Sequence, residues 1–135
     1  MLDRFNELLQ GLALLLDLPL HIDKHHACAI QIQPGLIIQL QADKSQENLL
    51  IVCKVVELPP GRFRENVLKE ALKANALPDP RVGTFSYLAL SNHLVLFQNY
   101  PFDVLNRERV AGLLGPFIEA AGKWRTAIQQ GQSKP

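Results

Sequence analysis

Between Ala27 and Gln41 the chain alternates in two runs about one Pro34-Gly35 pair, and this restricts the fold more than any other feature. In the first run Cys28, Ile30 and Ile32 point one way and Ala27, Ala29, Gln31 and Gln33 the other, the two-residue period of a strand. Proline fixes φ and glycine supplies positive φ, so Pro34-Gly35 is a turn. In the second run Leu36, Ile38 and Leu40 oppose Ile37, Gln39 and Gln41. The product is a hairpin with an aliphatic face and a Gln-bearing face. After a polar turn from Asp43 to Asn48, the run Leu49 to Val56 is apolar on both faces apart from Lys54. That pattern places it near the centre of a sheet.

Helical spacing brackets this meander. Leu2, Phe5, Leu8, Leu9, Leu12, Leu15 and Leu16 recur at three- and four-residue steps, and Pro19 ends the run. Pro59-Pro60-Gly61 breaks the chain before a second helix, Arg62 to Ala74, with Phe63, Val67, Leu68, Ala71 and Leu72 apolar and Asn75 as its stop. Leu77 to Gly83 is predicted as a loop. Thr84 to Leu90 and Leu94 to Tyr100 form a second hairpin about Ser91-Asn92-His93. Asp103 is a candidate N-cap for a long final helix striped by Val110, Leu113, Leu114, Phe117, Ile118, Ala121, Trp124 and Ile128. Gly115-Pro116 should kink that helix or split it in two. The order α-β-β-β-α-β-β-α defines an α+β fold, an antiparallel twisted sheet flanked by helices. At 135 residues the chain has the length of one domain, taken as residues 1–130 with 131–135 as a flexible tail.

Composition narrows the function. The chain is 47% hydrophobic and 20% charged, which suits a folded globular domain, and its formal net charge of +1 offers no broad basic surface for nucleic acid. The apolar stretch Leu12 to Leu20 is interrupted by Asp17 and Pro19 and is too short to insert in a membrane. Asp3 and Glu7 beside Arg4 do not suit a secretory leader, so a cytoplasmic location is expected, with Cys28 and Cys53 reduced and buried.

No chemistry-bearing constellation stands out. His25-His26-x-Cys28 has metal-ligating residue types but no second ligand cluster at zinc spacing, so no metal is expected. Ser45, Ser86, Ser91 and Ser133 lie outside any G-x-S-x-G context, and a Cys28 or Cys53 pairing with His93 is weaker than the reading of two core thiols and a turn histidine. Carboxylates are scattered, glycines form no phosphate cradle, and Trp124 reads as a core or interface anchor. The residues point to a protein that binds another protein, with no catalytic residues and no cofactor.

The helix VLKEALKANAL, Gly83 with the strand FSYLALS, the strand HLVLFQNYPFDVL and the closing FIEAAGKWRTAI resemble the class I type III secretion chaperones of the Tir-chaperone (CesT-type) family. The order of elements matches over nearly the whole chain. Many members are markedly acidic, whereas this chain is near neutral, and Pro116 in the closing helix is unusual for them. The resemblance implies a homodimer in the bacterial cytoplasm that binds the extended N-terminal segment of a secreted effector, keeps it secretion-competent and delivers it to the secretion apparatus, with the secretion ATPase as a further partner. Extended segments can dock in apolar grooves or add to a sheet edge. On this reading Leu2, Phe5, Leu9, Leu12, Ile30, Ile32, Ile38 and Leu40 are the candidate effector contacts. Phe63, Val67, Leu68, Ala71 and Leu72 are the candidate dimer contacts. The alternatives are a regulatory adaptor of the same fold, and a small α+β ligand-binding protein or enzyme with a pocket between helix and sheet.

Overall fold

The computed structural model describes residues 3–78 and 81–135. Three helices and five strands follow in the predicted order: α1 (Arg4–Leu16), β1 (Ala27–Gln33), β2 (Leu36–Ala42), β3 (Asn48–Glu57), α2 (Arg62–Asn75), β4 (Thr84–Leu88), β5 (His93–Pro101) and α3 (Arg107–Gln129). All strand pairings are antiparallel, and the sheet runs β1-β2-β3-β5-β4. β3 is the central strand, as its two-sided apolar pattern requires. β1 and β4 are the edges.

The Pro34-Gly35 turn closes the first hairpin with Gln33 opposite Leu36, and Gly35 takes φ +83°. From this register Leu36, Ile38, Leu40 and Ala42 of β2 share one face with Leu49, Ile51, Cys53 and Val55 of β3, and all eight are buried. Phe5, Leu9 and Leu12 of α1, Val67 and Ala71 of α2, and Val110, Leu114, Phe117 and Ala121 of α3 join the same cluster. The three helices therefore cover one face of the sheet. A fully buried Leu or Phe side chain contributes about 1.5–3 kcal/mol, so this single cluster dominates the stability of the fold.

Local hydrogen bonds explain where the elements begin. Asp3 caps α1 by accepting from the Asn6 amide at 2.7 Å. Asp43 organises the β2–β3 turn, accepting from the Glu47 and Asn48 amides and the Asn48 and Ser45 side chains. The start of α3 differs from expectation. Its N-cap is Asn106, which accepts from the Arg109 amide at 2.8 Å, whereas Asp103 lies in a short 3-10 turn (Phe102–Val104) and pairs with Arg4. Of the two outcomes expected at Pro116, the split does not occur: the helix runs as one piece through it, and the exposed position of Pro116 leaves the carbonyl freed by the missing N–H open to water. Beyond Gln129 the chain turns back at Gly131, where the Gln132 amide reaches the Ala127 carbonyl at 2.8 Å, and Lys134 approaches Glu70 at 3.8 Å.

Gly83 has a definite task. A Cβ at that position would lie 2.9 Å from the Phe97 carbonyl oxygen, so only glycine lets the chain enter β4 this close to β5.

Candidate binding surfaces

The residues predicted to meet an effector divide on inspection. Leu2 lies outside the described residues. Phe5, Leu9, Leu12, Ile38 and Leu40 belong to the core, with at most 3% of their surface exposed. Ile30 is half-buried against that core, and Ile32, at an irregularity in the β1–β2 pairing, is exposed. The available surface of α1 is its other flank, where Leu14 is 77% exposed and Leu15 and Leu18 are also open. Sequence reasoning took the strongest apolar stripe of α1 for the contact surface. A stripe that regular is the one the fold buries first. The usable signal was the excess: Leu14 and Leu18 fall off the stripe and remain apolar.

Beside that flank lies a groove of about 790 Å³ between α1 and the segment after it, with Leu9, Leu14, Leu18, Leu20 and Ile22 as its apolar wall and Asn6, Gln10, Asp17 and His21 as its polar rim. The α1 chain reverses at Asp17, a non-glycine residue at φ +55°. Asp23 then steers the chain into β1 by accepting from the His25 and Ala27 amides at 2.8 and 3.1 Å. Those bonds hold its carboxyl below the ordinary value of 3.8. Among the described strands β1 pairs with β2 alone; Asp23 already occupies its outer edge at Ala27, donating its amide to the Ala27 carbonyl at 2.8 Å, and the edge beyond Ala27 has no strand partner among the described residues.

The predicted dimer set also divides. Val67 and Ala71 face the chain's own core and Leu68 is half-buried against it, whereas Phe63 and Leu72 stand on opposite flanks of the buried stripe, Leu72 being 68% exposed. The end of α2 is bolted to the edge strand. The Asn75 side chain donates to the Phe85 carbonyl at 2.9 Å and accepts from the Phe85 amide at 2.7 Å, imitating a neighbouring strand. At the other end Arg64 donates to the Tyr87 hydroxyl at 2.8 Å and lies over its ring, and that hydroxyl donates to the Asn92 side chain at 2.6 Å. Leu88 and Leu90 on the β4–β5 hairpin are exposed, Leu90 completely. Trp124 packs against Phe85 with ring centroids 4.5 Å apart, which ties α3 to β4.

The reactive residue types do not assemble. His25 and His26 are exposed in the loop before β1 while Cys28 is buried within it, and among the described residues no three His, Cys, Asp or Glu side chains gather as a metal site. Burial pushes the Cys28 thiol up and the Cys53 thiol to about 11, the nearby Arg125 only partly opposing the latter. Among the described residues no helix is long and apolar enough to cross a membrane.

An antiparallel sheet of order β1-β2-β3-β5-β4 with three helices on one face is an α+β fold shared with solved type III secretion chaperones. The chain belongs to the Tir chaperone protein (CesT) family, whose model matches residues 7–125. Similar solved structures include the HopA1-SchA chaperone-effector complex, at 20% identity and a TM-score of 0.69 over 92% of this chain and 94% of that one. The ExsC-ExsE complex gives 20% identity and a TM-score of 0.69 over 93% and 96%. The Yersinia pestis type III secretion chaperone SycH, in complex with a stable fragment of YscM2, gives 16% and 0.66 over 87% and 96%. Among curated protein sequences none matches the chain.

Proposed function

We propose that the chain is a cytoplasmic type III secretion chaperone that holds the extended N-terminal segment of an effector in the α1 groove and along the free edge of β1. The observation that carries this reading is the groove itself: an apolar wall of Leu14, Leu18, Leu20 and Ile22, open to solvent and leading to the edge of β1 that has no strand partner among the described residues beyond Ala27. Apolar side chains of an extended segment fit such a wall while its backbone adds to the edge. Family membership and the chaperone–effector complexes among the similar structures support the same reading. The chaperone itself performs no catalysis, since holding a segment needs only binding energy.

The working unit on this reading is a homodimer in which the Leu68 and Leu72 flank of α2 meets its two-fold mate. The dimer delivers its cargo to the secretion apparatus and its ATPase. Both grooves of such a dimer serve one wrapped segment, which raises the effective concentration of each half for its own groove.

The test is recovery of the partner by affinity purification from the native cell, followed by rebinding of the partner's N-terminal fragment to purified variants. Leu14→Asp with Leu18→Asp should keep the wild-type circular dichroism spectrum and lose the fragment. Retention of the fragment by that double variant would remove the groove from consideration. A bound metabolite in place of a protein would favour a ligand-binding domain.

A further inference from the structure

The face of the sheet opposite the helices is open across β2 and β3. Ile37 is 47% exposed there, and a groove of about 610 Å³ runs over Ile37, Val52 and Val56 with Lys54 in its floor and Arg125 at its rim. Resting on the chaperone reading, we propose that this groove is a second station for the bound protein, one that takes an amphipathic helix bearing acidic residues beside its apolar stripe.

Two observations specify that occupant. The floor is sheet-like, with Ile37, Val52 and Val56 beside Gln39 and Lys54, and the chain's own helices already cover the other face of the same strands by laying an apolar stripe against them. A helix is thus the element that fits a sheet face, whereas an extended segment fits an edge. The second observation is charge. Lys54 is exposed in the middle of the central strand, opposite Val95 in register, and makes no ion pair among the described residues. Arg125 commits Nη1 to the Val55 carbonyl and lines the groove with the rest of its guanidinium. The carboxylate on the rim, Glu57, stands opposite His93 in register at the far end of β3. Lys54 and Arg125 are therefore cations beside the apolar side chains of Ile37, Val52 and Val56, and a helix with Glu or Asp flanking its stripe satisfies both. A helix with basic flanks would bring like charges together, which costs affinity.

The probes are two fluorescein-labelled helical peptides of about five turns with the same Leu stripe, one flanked by Glu and one by Lys. Fluorescence anisotropy at low salt should show the Glu peptide binding about tenfold or more tighter than the Lys peptide. Lys54→Glu should reverse that preference and Val52→Asp should abolish both, whereas Lys44→Glu, the same charge change in the β2–β3 turn, should alter neither. Equal affinities, no binding of either peptide, or Glu-peptide binding that survives Lys54→Glu would each overturn the site. A change in oligomeric state of Lys54→Glu in sedimentation would assign the face to a second copy and overturn it as well. If Leu14→Asp with Leu18→Asp loses the partner's fragment while the peptides show no preference, the chaperone reading stands and only this station falls.

Discussion

Nη1 of Arg125 donates to the carbonyl of Val55 at 2.9 Å, joining the last turns of α3 to the central strand across 70 positions of sequence. The bond sits where β2 and β3 have stopped pairing, since their register ends at Ile38 and Cys53, and where the β3–β5 register shifts between Lys54 and Val56. The guanidinium thus supplies a donor at a break in the ladder. It reaches that carbonyl over Gly35, where a Cβ would collide with Nη2.

Gly35→Ala should therefore destabilise the fold through both the collision and the positive φ, by about 1–3 kcal/mol. Arg125→Leu should cost about 1–3 kcal/mol by leaving the carbonyl unpaired. The double variant should cost less than the sum, because removing the guanidinium also removes the collision. Urea denaturation of the three variants checks this, and strict additivity would mean that Arg125 does not rest on Gly35.

Asn75 gives a second, local prediction. Its side chain serves both backbone groups of Phe85, so Asn75→Ala should cost about 1–3 kcal/mol and expose the Phe85 amide to hydrogen exchange. Asn75→Asp keeps the acceptor but loses the donor, and it should protect the Phe85 amide better than alanine does. Equal exchange in all three proteins would show that α2 does not hold the edge strand through this residue.

These contacts mark the boundary of what the residues disclosed on their own. The strands, their hairpins and the central place of β3 were legible because alternation and Pro-Gly punctuation are local. Asn75 was legible as a helix stop but not as a mock strand, since Phe85 lies ten positions on and meets it only after the loop closes. Asp103 and Asn106 are both capping residues by type, and tertiary pairing of Asp103 with Arg4 left the cap to Asn106. The binding surfaces were least legible. An apolar residue on the main stripe, such as Phe5 or Val67, reads the same whether it meets its own core or a partner, and the fold claims it first.

The two kinds of α2 residue can be told apart by substitution. Val67 is fully buried and Leu72 is largely exposed, so Val67→Glu should unfold the chain while Leu72→Glu should not. If α2 forms the dimer interface, Leu68→Glu with Leu72→Glu should sediment as a folded monomer by circular dichroism. A double variant that remains dimeric would place the interface elsewhere, with the exposed Leu88 and Leu90 on the β4–β5 hairpin as the next positions to test.

The buried thiols predict a specific pH response. Cys53 is held at about 11 by burial against an ordinary value of 9.0, so its native thiolate fraction at pH 8 is reduced about a hundredfold. A disulfide reagent such as dithionitrobenzoate should therefore leave native protein unlabelled for far longer than protein in urea. The sign for stability follows from proton binding. Below 9.0 the thiol is neutral in both states and contributes no pH dependence; between 9.0 and about 11 the unfolded chain ionises and the folded chain does not. The urea midpoint should fall across that interval, and Cys53→Ala should flatten the fall even where the lost sulfur lowers stability at neutral pH. A slope in the Cys53→Ala protein equal to wild type would assign the alkaline loss to other groups, the Cys28 thiol, also raised by burial, among them.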